Sequence, residues 1–274
     1  MLKDEIIKRI KNQKTISEKE IESLLLPGLK FSLEDAPPIE HSTSKIGGLP
    51  LNFDRPYPLY EDIPLTFLTQ ISLADICYLN NLLPKNGELY FFILTNEIGY
   101  RYADRKNEFR VIFTTNKAKR NGYAEFHAIP EHTISFYEQY TFPSYQEHLI
   151  VGNNLTNEDL LFIEEYEFEL QLSSSSLIDI GHQVLGNPKA VQGTVRFWWA
   201  AKYLGIENLD TISEEEADRI NLEEDKFLLL LQLDFSDPKI DIEQFGDSVA
   251  YFGIHEEDLR NGNFDNVILV MQNT

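Results

Sequence analysis

The sequence predicts an α+β protein whose mainly antiparallel sheet is built from an internal duplication with pseudo-two-fold symmetry. Residues 65–75 (LTFLTQISLAD) and 227–237 (FLLLLQLDFSD) read as copies of one strand, with Gln70 and Gln232 at matched positions. Each copy follows a Gly-X-Pro turn and precedes an aromatic strand, so three landmarks recur in one order. We expect two such halves to pack as one pseudo-symmetric body.

The first part of the chain is punctuated by proline and glycine. Residues 1–28 are predicted to form an N-terminal helical segment, because apolar residues recur at helical spacing within 3–12 and again within 17–25, before Pro27. Residues 37–64 are rich in proline, which excludes regular helix and central strand. We therefore expect a long, ordered, irregular segment there.

The domain proper, residues 29–274, is predicted to be rich in strands. Residues 156–170 favour a helix followed by a strand, and Ser213 with Glu216 forms the capping box of an acidic helix. Apolar runs bounded by Gly, Asn or Pro predict strands at 65–73, 88–94, 109–115, 122–128, 227–235, 248–254 and 267–271. The connections between them favour antiparallel pairing, since most lack a crossover helix.

The domain divides into two related halves, residues 40–172 and 177–272. A serine-rich loop at 173–176 is the expected hinge between them.

The charge of the 274-residue chain is concentrated after residue 125. The formal net charge is −21, and residues 126–274 contain 7 Lys and Arg against 28 Asp and Glu. Such a field repels nucleic acid and anionic membranes, so a basic protein is the expected partner. The chain has no long apolar run or signal-peptide core, and its single Cys77 fits a reducing compartment. These features predict a cytoplasmic location.

The landmarks are specific as an ordered set: KIGGLP at 45–50, LTFLTQI at 65–71, LPKNGELYFF at 83–92, and HQVLGNP at 182–188 followed by Gln192. They cover about residues 40–272 and resemble the bacterial YwqG-like family, a domain of unknown function. The resemblance implies an α+β fold with an internal repeat, no established activity, and a protein-binding or immunity-like role. The family's usual Trp-Gly-Asp unit is Phe245-Gly246-Asp247 here, and Val249 replaces a usual glycine.

The landmarks also supply the candidate functional residues. The candidate ligand-binding residues are Gln70, His182, Gln192, Gln232 and Asp247, and the candidate structural turns are Gly47, Gly48, Pro50, Gly186 and Pro188. For the two strand glutamines, a structural clamp from the side chain to the turn backbone is the leading interpretation, because a buried amide must be hydrogen-bonded. Ligand binding in a cleft between the halves is the alternative. No metal ion or cofactor is expected.

Three classes of function stay open. The first is a non-enzymatic acidic protein that binds a basic partner, as an accessory or immunity-like protein. The second is a small-ligand binder with a groove between the halves, lined by Tyr57, Tyr90, Phe92, Trp198 and Trp199. The third is a hydrolase or metalloenzyme around His182 or around the His127 and His132 pair, although no catalytic sequence motif accompanies them.

Overall fold

A computed structural model gives the architecture of the chain. The structure describes residues 3–4, 6–8, 18–35, 43–95, 105–115, 129–143, 155–156, 158–163, 165, 181–206, 209–240 and 242–273. The strand predicted at 122–128, the hinge predicted at 173–176 and His127 lie outside the described residues.

Along the chain the elements are α1 (Glu18–Leu24), β1 (Leu26–Glu34), β2 (Lys45–Ile46), β3 (Leu59–Tyr60), β4 (Ile63–Pro64), β5 (Thr66–Ser72), α2 (Leu73–Ile76), β6 (Glu88–Ile93), β7 (Phe109–Thr114), β8 (His132–Thr141), β9 (His182–Leu185), α3 (Val195–Tyr203), η1 (Leu209–Thr211), α4 (Glu214–Glu224), β10 (Phe227–Asp234), η2 (Glu243–Phe245), β11 (Ser248–His255), α5 (Glu256–Asn261), η3 (Phe264–Asn266) and β12 (Ile268–Asn273). The strands β5, β6, β7, β10, β11 and β12 confirm six strand predictions.

Ten strands form one sheet in the order β12-β11-β10-β9-β1-β8-β2-β5-β6-β7, while β3 and β4 form a separate hairpin. Every neighbouring pair in the large sheet is antiparallel, which confirms the mainly antiparallel α+β expectation. The ring of Phe91 in β6 lies 5.1 Å from that of Phe252 in β11. Because these strands are close to opposite ends of the sheet, the sheet curls back on itself and is nearly closed.

The N-terminal strand β1 lies in the middle of this sheet. It pairs with β8 along its whole length, from Leu26 opposite Thr141 to Glu34 opposite Thr133. Its other edge pairs with β9 over residues 28–31. The sequence placed residues 1–28 in a helical segment and predicted no strand here, so the central position of β1 is a finding of the structure.

Two helical predictions can be compared with the structure. The capping box of α4 is confirmed, because Ser213 Oγ accepts a hydrogen bond from the Glu216 amide and the Glu216 carboxylate accepts from the Ser213 amide. Residues 158–163 are helical, as predicted for the start of the 156–170 segment. The strand predicted for its second part lies outside the described residues.

Trp198 and Trp199, two candidates for the lining of a ligand groove, both lie in helix α3. Trp199 is fully buried and donates its indole N–H to the carbonyl of Tyr251 at 3.2 Å. Its ring lies flat against Gly253, where a Cβ atom would overlap it. Helix α3 therefore packs on β11 through a large aromatic ring against a strand glycine.

Candidate functional site

Gln70 and Gln232 occupy equivalent environments in β5 and β10. Each lies just after a β-bulge in its strand, and both side chains are completely buried. Gln70 Oε1 accepts a hydrogen bond from the Leu51 amide at 2.9 Å, and Gln232 Oε1 accepts from the Lys189 amide at 2.9 Å. Leu51 and Lys189 each follow the proline of a Gly-X-Pro turn, so the hydrogen bonds predicted for a clamp are present.

Two tyrosines complete these clamps. Tyr90 donates its hydroxyl hydrogen to the carbonyl of Leu51 at 2.7 Å, and Tyr251 donates to the carbonyl of Lys189 at 2.6 Å. Burial, followed by the negative charges of nearby carboxylates, raises the pKa of Tyr90 well above its usual range. The phenol therefore stays protonated and remains a donor. Each turn residue is held through both its amide and its carbonyl.

The amide nitrogens of the two glutamines have different partners. Gln232 Nε2 donates to the carbonyl of Gly181 at 3.0 Å, whereas Gln70 Nε2 donates to Glu88 Oε2 at 3.2 Å. Burial raises the pKa of Glu88, although hydrogen bonds from Thr43 and Gln70 oppose that shift. In the second half, the strand position equivalent to that of Glu88 is occupied by Val249 of β11. The side-chain amide nitrogen therefore binds a carboxylate in the first clamp and a backbone carbonyl in the second.

Replacing either clamp glutamine with leucine is expected to destabilise the protein by about 1 to 3 kcal/mol, because a buried backbone amide loses its acceptor. Urea denaturation of Gln70→Leu and Gln232→Leu measures this change. Gln192→Leu is the matched control, since that side chain is exposed and the substitution is expected to change stability by less than about 0.5 kcal/mol. Clamp variants as stable as the control would refute the clamp.

A third glutamine clamp was missed from the sequence. Gln272, in β12, accepts hydrogen bonds from the amides of Val191 and Gln192 at 2.8 and 3.0 Å, and donates to the carbonyl of Gly193 at 3.2 Å. The structure thus fixes the backbone of the candidate residue Gln192, whose own side chain points to solvent. The available signal was a single amide at the end of an apolar run.

His182 is engaged at both ring nitrogens. Nδ1 accepts a hydrogen bond from the Asp234 amide at 3.2 Å, and Nε2 lies 3.1 Å from Asp237 Oδ2. The hydrogen bond from His182 is the main reason that the pKa of Asp237 is lowered, against an opposing effect of burial. The ring also stacks on Phe31 with centroids 5.1 Å apart. This geometry ties β9 to the turn after β10 and leaves neither ring nitrogen open for proton transfer.

The five candidate residues lie on different elements of the fold. His182 and Gln232 lie on adjacent strands, but four strands of the sheet separate β10 from the strand of Gln70. Asp247 is exposed in the turn before β11. Of the aromatic residues expected to line a ligand groove, Tyr57, Tyr90 and Phe92 belong to one hydrophobic cluster and Trp199 to another.

The turn glycines have the backbone that their residue type predicts. Gly47, Gly48 and Gly186 have φ angles of +65°, +64° and +74°, in the left-handed region that glycine adopts without strain. Pro50 and Pro188 are buried beside them. The residues predicted as structural turns therefore form the segments that the glutamine side chains bind.

Among the described residues, no group of three or more His, Cys, Asp or Glu side chains could hold a metal ion. Each helix in the same part of the chain is too short or too polar to be a membrane span.

Helix α4 presents an acidic stripe to solvent. Glu214, Asp218, Leu222 and Asp225 are exposed and recur at the spacing of one helical face. Leu222 is 72% exposed although it lies between two carboxylates of this stripe. The acidic residues of the first turn, such as Glu214, stabilise the helix through its macrodipole. That role does not extend to Asp218 and Asp225, which lie beyond the first turn.

Tyr203 lies beside α4, at the end of α3, in a stack of rings. Its ring is parallel to that of His255 within 7°, with centroids 4.7 Å apart. Phe227 is nearly perpendicular to both, at 5.7 Å from Tyr203 and 5.3 Å from His255. These three separations place Phe227 at the side of the stack, so the Tyr203 face opposite His255 is covered by neither ring. Tyr203 is 39% exposed.

The charges of three carboxylates affect the phenol of Tyr203. Burial, then the charges of Asp258, Glu257 and Glu223, raise the pKa of Tyr203, and Lys226 opposes them. Glu223 is hydrogen-bonded to Lys226 Nζ at 2.9 Å and lies 3.2 Å from His255 Nε2. Although burial raises the pKa of Glu223, these two partners outweigh it and the net pKa is lowered. Glu223 therefore stays ionised near neutral pH.

We call the exposed face of α4, with the end of α3 and the start of α5, the acidic surface. Its members are Tyr203, Glu214, Glu215, Asp218, Leu222, Glu223, Asp225, Glu256 and Glu257. The sequence indicated the charge of this region, but it gave no signal for the exposed tyrosine, because strands and helices distant in sequence build the ring stack.

Fold and surface together define a class of α+β protein in which side-chain amides hold irregular turns against a nearly closed sheet and the helices carry an acidic surface. Residues 44–272 match the model of a family described as Domain of unknown function (DUF1963). The chain belongs to this family. No curated protein matches it.

Proposed function

We propose that this protein is a non-enzymatic, cytoplasmic binding protein, accessory or immunity-like, whose acidic surface engages a basic protein. The observation that carries the proposal is the exposure of Leu222 and Tyr203 within a field of carboxylates. Binding surfaces commonly combine apolar anchors with charges that select the partner. Burying the exposed part of Leu222 would contribute about 1 to 2 kcal/mol to such a complex.

Charge supports the choice of a basic partner. All of the net charge of −21 arises after residue 125. The negative electrostatic field of the protein therefore originates in the second half of the chain. Complementary charges raise association rates and discriminate against acidic partners. Screening by salt shortens the reach of the field to about 8 Å at physiological ionic strength, so association is expected to slow as salt rises.

Charge reversal on the acidic surface is expected to abolish capture of the partner. The test variant is Asp218→Lys with Asp225→Lys, since both carboxylates flank Leu222 and are exposed. The matched control is Glu61→Lys with Asp62→Lys, which changes the charge equally at an exposed turn of the first half. Wild type and both variants are used to capture proteins from an extract of the encoding organism, and the captured protein is purified and titrated at about 50 and 150 mM salt.

The proposal requires a basic protein that binds the wild type and the control but is lost by the α4 variant. Equal loss in both variants would mean that only net charge matters. A partner that binds all three chains equally, or the absence of any basic partner, would refute the acidic surface as a binding site.

We also infer that the sheet consists of two copies of a five-stranded unit. In support, strands β9, β10, β11 and β12 follow one another from the centre to one end, as β2, β5, β6 and β7 do towards the other. The matched clamps at Gln70 and Gln232 lie in corresponding strands. In this arrangement β1 has the same position in the second unit as β8 has in the first. The two strands meet at the centre of the sheet, where Ser32 pairs with Ser135. The second copy would then be circularly permuted.

Within the DUF1963 family, we propose that the chain belongs to the YwqG-like group. The support is the ordered set of landmarks, from KIGGLP at 45–50 to HQVLGNP at 182–188. In the structure these segments contain the turns that the glutamine and tyrosine clamps bind, which explains why they occur together.

A further inference from the structure

Three residues are joined by hydrogen bonds at the start of β2. Ser44 Oγ accepts a hydrogen bond from the Ser72 amide at 2.9 Å and donates to Asp75 Oδ2 at 2.7 Å. Ser44 is 4% exposed, so these bonds are made away from bulk solvent. We call Ser44, Ser72 and Asp75 the first latch, because they join the start of β2 to the end of β5 and to helix α2.

The second latch consists of His182, Asp234 and Asp237 and has the same pattern. His182 Nδ1 accepts a hydrogen bond from the Asp234 amide at 3.2 Å, and Nε2 lies 3.1 Å from Asp237 Oδ2. The two aspartates follow the clamp glutamine by two and five residues, as the corresponding members of the first latch do. The same positions are thus joined in the same way in both halves, with a histidine in place of a serine.

The imidazole of the second latch has one arrangement of hydrogens that fits this geometry. Because Nδ1 accepts the amide hydrogen of Asp234, the ring hydrogen is on Nε2, where Asp237 accepts it. A neutral ring satisfies both bonds, whereas a protonated ring carries hydrogen on both nitrogens and accepts none. A proton can therefore be added to His182 only if the Asp234 amide leaves Nδ1. The serine hydroxyl of the first latch has no such restriction.

Charged groups lie on several elements around the second latch. They are Asp35 after β1, His132 of β8, Asp234 of β10, and Asp237 and Lys239 of the turn after β10. Lys239 Nζ donates to the carbonyl of Leu33 at 2.7 Å and lies 3.5 Å from Asp35, and His132 lies 3.0 Å from the same carboxylate. A charged His182 ring would keep Asp237 as its partner. The bond lost on protonation is therefore the one from the Asp234 amide.

The turn that follows His182 is strained, whereas its counterpart in the first half is not. Leu185 has a φ of +58°, a left-handed angle that is unfavourable for a residue with a Cβ atom. Gly47, three residues before the proline of the first turn as Leu185 is before that of the second, has a φ of +65° without this cost. Strain of this kind persists only where surrounding contacts hold it. Opening the second latch would remove one of those contacts.

We propose that the second latch is a proton-sensitive switch, in which protonation of His182 releases the Asp234 amide and loosens the end of β10 from the start of β9, while the first latch stays closed. In the sheet, β9 and β10 share one facing residue pair, Gln183 with Gln232. Few backbone hydrogen bonds therefore remain to hold these two strands together when the latch opens. Histidine suits such a switch, because it is the side chain that ordinarily changes charge between about pH 5 and 8.

The test follows amide hydrogen exchange of the full chain by NMR at about pH 7.5 and about pH 5.5, on either side of the ordinary pKa of histidine. Rates are expressed as protection factors, which removes the intrinsic effect of pH on exchange. The protection factor of the Asp234 amide is expected to fall about two- to tenfold on acidification, the equivalent of one hydrogen bond. That of the Ser72 amide is expected to stay constant. The ¹⁵N shifts of His182 report whether the ring is neutral or protonated at each pH.

Two variants assign the effect to His182. His182→Ser supplies the residue of the first latch and is expected to abolish the pH dependence at the Asp234 amide. His255→Asn is the matched control, because His255 is also buried and its Nδ1 also accepts a backbone amide hydrogen, from Glu257 at 3.2 Å. Asparagine retains the N-cap of α5, and this variant is expected to keep the pH dependence at Asp234. If His182→Ser does not fold, the comparison of Asp234 with Ser72 in the wild type still decides the question.

The outcomes are distinct. A loss of protection at Asp234 alone, which accompanies protonation of the His182 ring and disappears in His182→Ser but not in His255→Asn, supports the switch. An equal loss at Asp234 and Ser72 would show general destabilisation by acid and would overturn it. A His182 ring that stays neutral at about pH 5.5, or a pH dependence that persists in His182→Ser, would overturn it as well.

Discussion

A chain that begins at residue 44, where the family match begins, is expected not to fold. It would lack β1 (Leu26–Glu34), which lies between β8 and β9 in the centre of the ten-stranded sheet. Both neighbours would then present unpaired backbone groups, and a long unpaired strand edge favours aggregation. We expect this truncated protein to be insoluble, or soluble without the far-ultraviolet circular dichroism of the full chain.

The apolar contacts of β1 explain the size of this effect. Leu29, Phe31 and Leu33 are all buried in the main hydrophobic cluster. Each contributes about 1.5 to 3 kcal/mol through burial. Their combined loss is comparable with the total stability of a typical domain, which is about 5 to 15 kcal/mol. The truncation therefore removes enough burial to unfold the protein, before any hydrogen bond is considered.

A permuted chain provides the control. Residues 25–35 are moved to the end of the 44–273 chain, through a flexible linker as long as the 115–131 connection between β7 and β8. Three strands of the sheet lie between β12 and β1, and three lie between β7 and β8, so the linker has a matching distance to span. Recovery of the folded state would show that β1 itself is required. A folded, stable 44–274 chain would contradict the prediction.

The sequence predicted those strands that can be recognised from their own residues alone. Residues 66–72 and 227–234 are each rich in large apolar residues over one short run, and such runs indicate buried strands without knowledge of their neighbours. Strand β1 alternates buried and exposed residues between 29 and 34, but Pro27 and Gly28 precede that pattern and suggested the end of a helix. Here Gly28 has another role, because its Cα approaches Leu185 of β9 so closely that a Cβ atom would lie 2.9 Å from the carbonyl oxygen.

The candidate site was predictable only where the sequence repeats itself. Gln70 and Gln232 could be found because two copies of one pattern carry them. By contrast, Gln272 has a less evident counterpart, and the setting of Tyr203 depends on the packing of α3 against β10 and β11. The sequence predicted no helix at residues 195–203, and the packing of Trp199 on Gly253 is a finding of the structure.

Substitution of Gly47 by alanine is expected to destabilise the protein by about 2 to 5 kcal/mol. Gly47 has a φ of +65°, where an L-residue costs about 1 to 2 kcal/mol. A Cβ atom there would also lie 2.5 Å from the carbonyl oxygen of Ile129 and would overlap that of Pro130. Since these obstacles are backbone atoms, the chain must shift, and overpacking of this kind costs about 1 to 3 kcal/mol more.

The backbone around Gly47 cannot shift without breaking other contacts. The Gly47 amide donates to the carbonyl of Leu68, and the Gly48 amide donates to that of Ile129, each at 2.8 Å. Moving this turn would also displace the Leu51 amide from Gln70. Thermal or urea unfolding of Gly47→Ala, with the circular dichroism of the folded state as a check on structure, measures the combined cost.

Gly205→Ala separates the cost of the backbone angle from the cost of the close approach. Gly205 has a φ of +74°, but nothing lies within 4 Å of the position that its Cβ atom would occupy. Its substitution is expected to cost only the conformational term, about 1 to 2 kcal/mol. If Gly47→Ala were no more destabilising than Gly205→Ala, the turn would have room to move, and close packing against residues 129–130 would not explain why glycine occupies position 47.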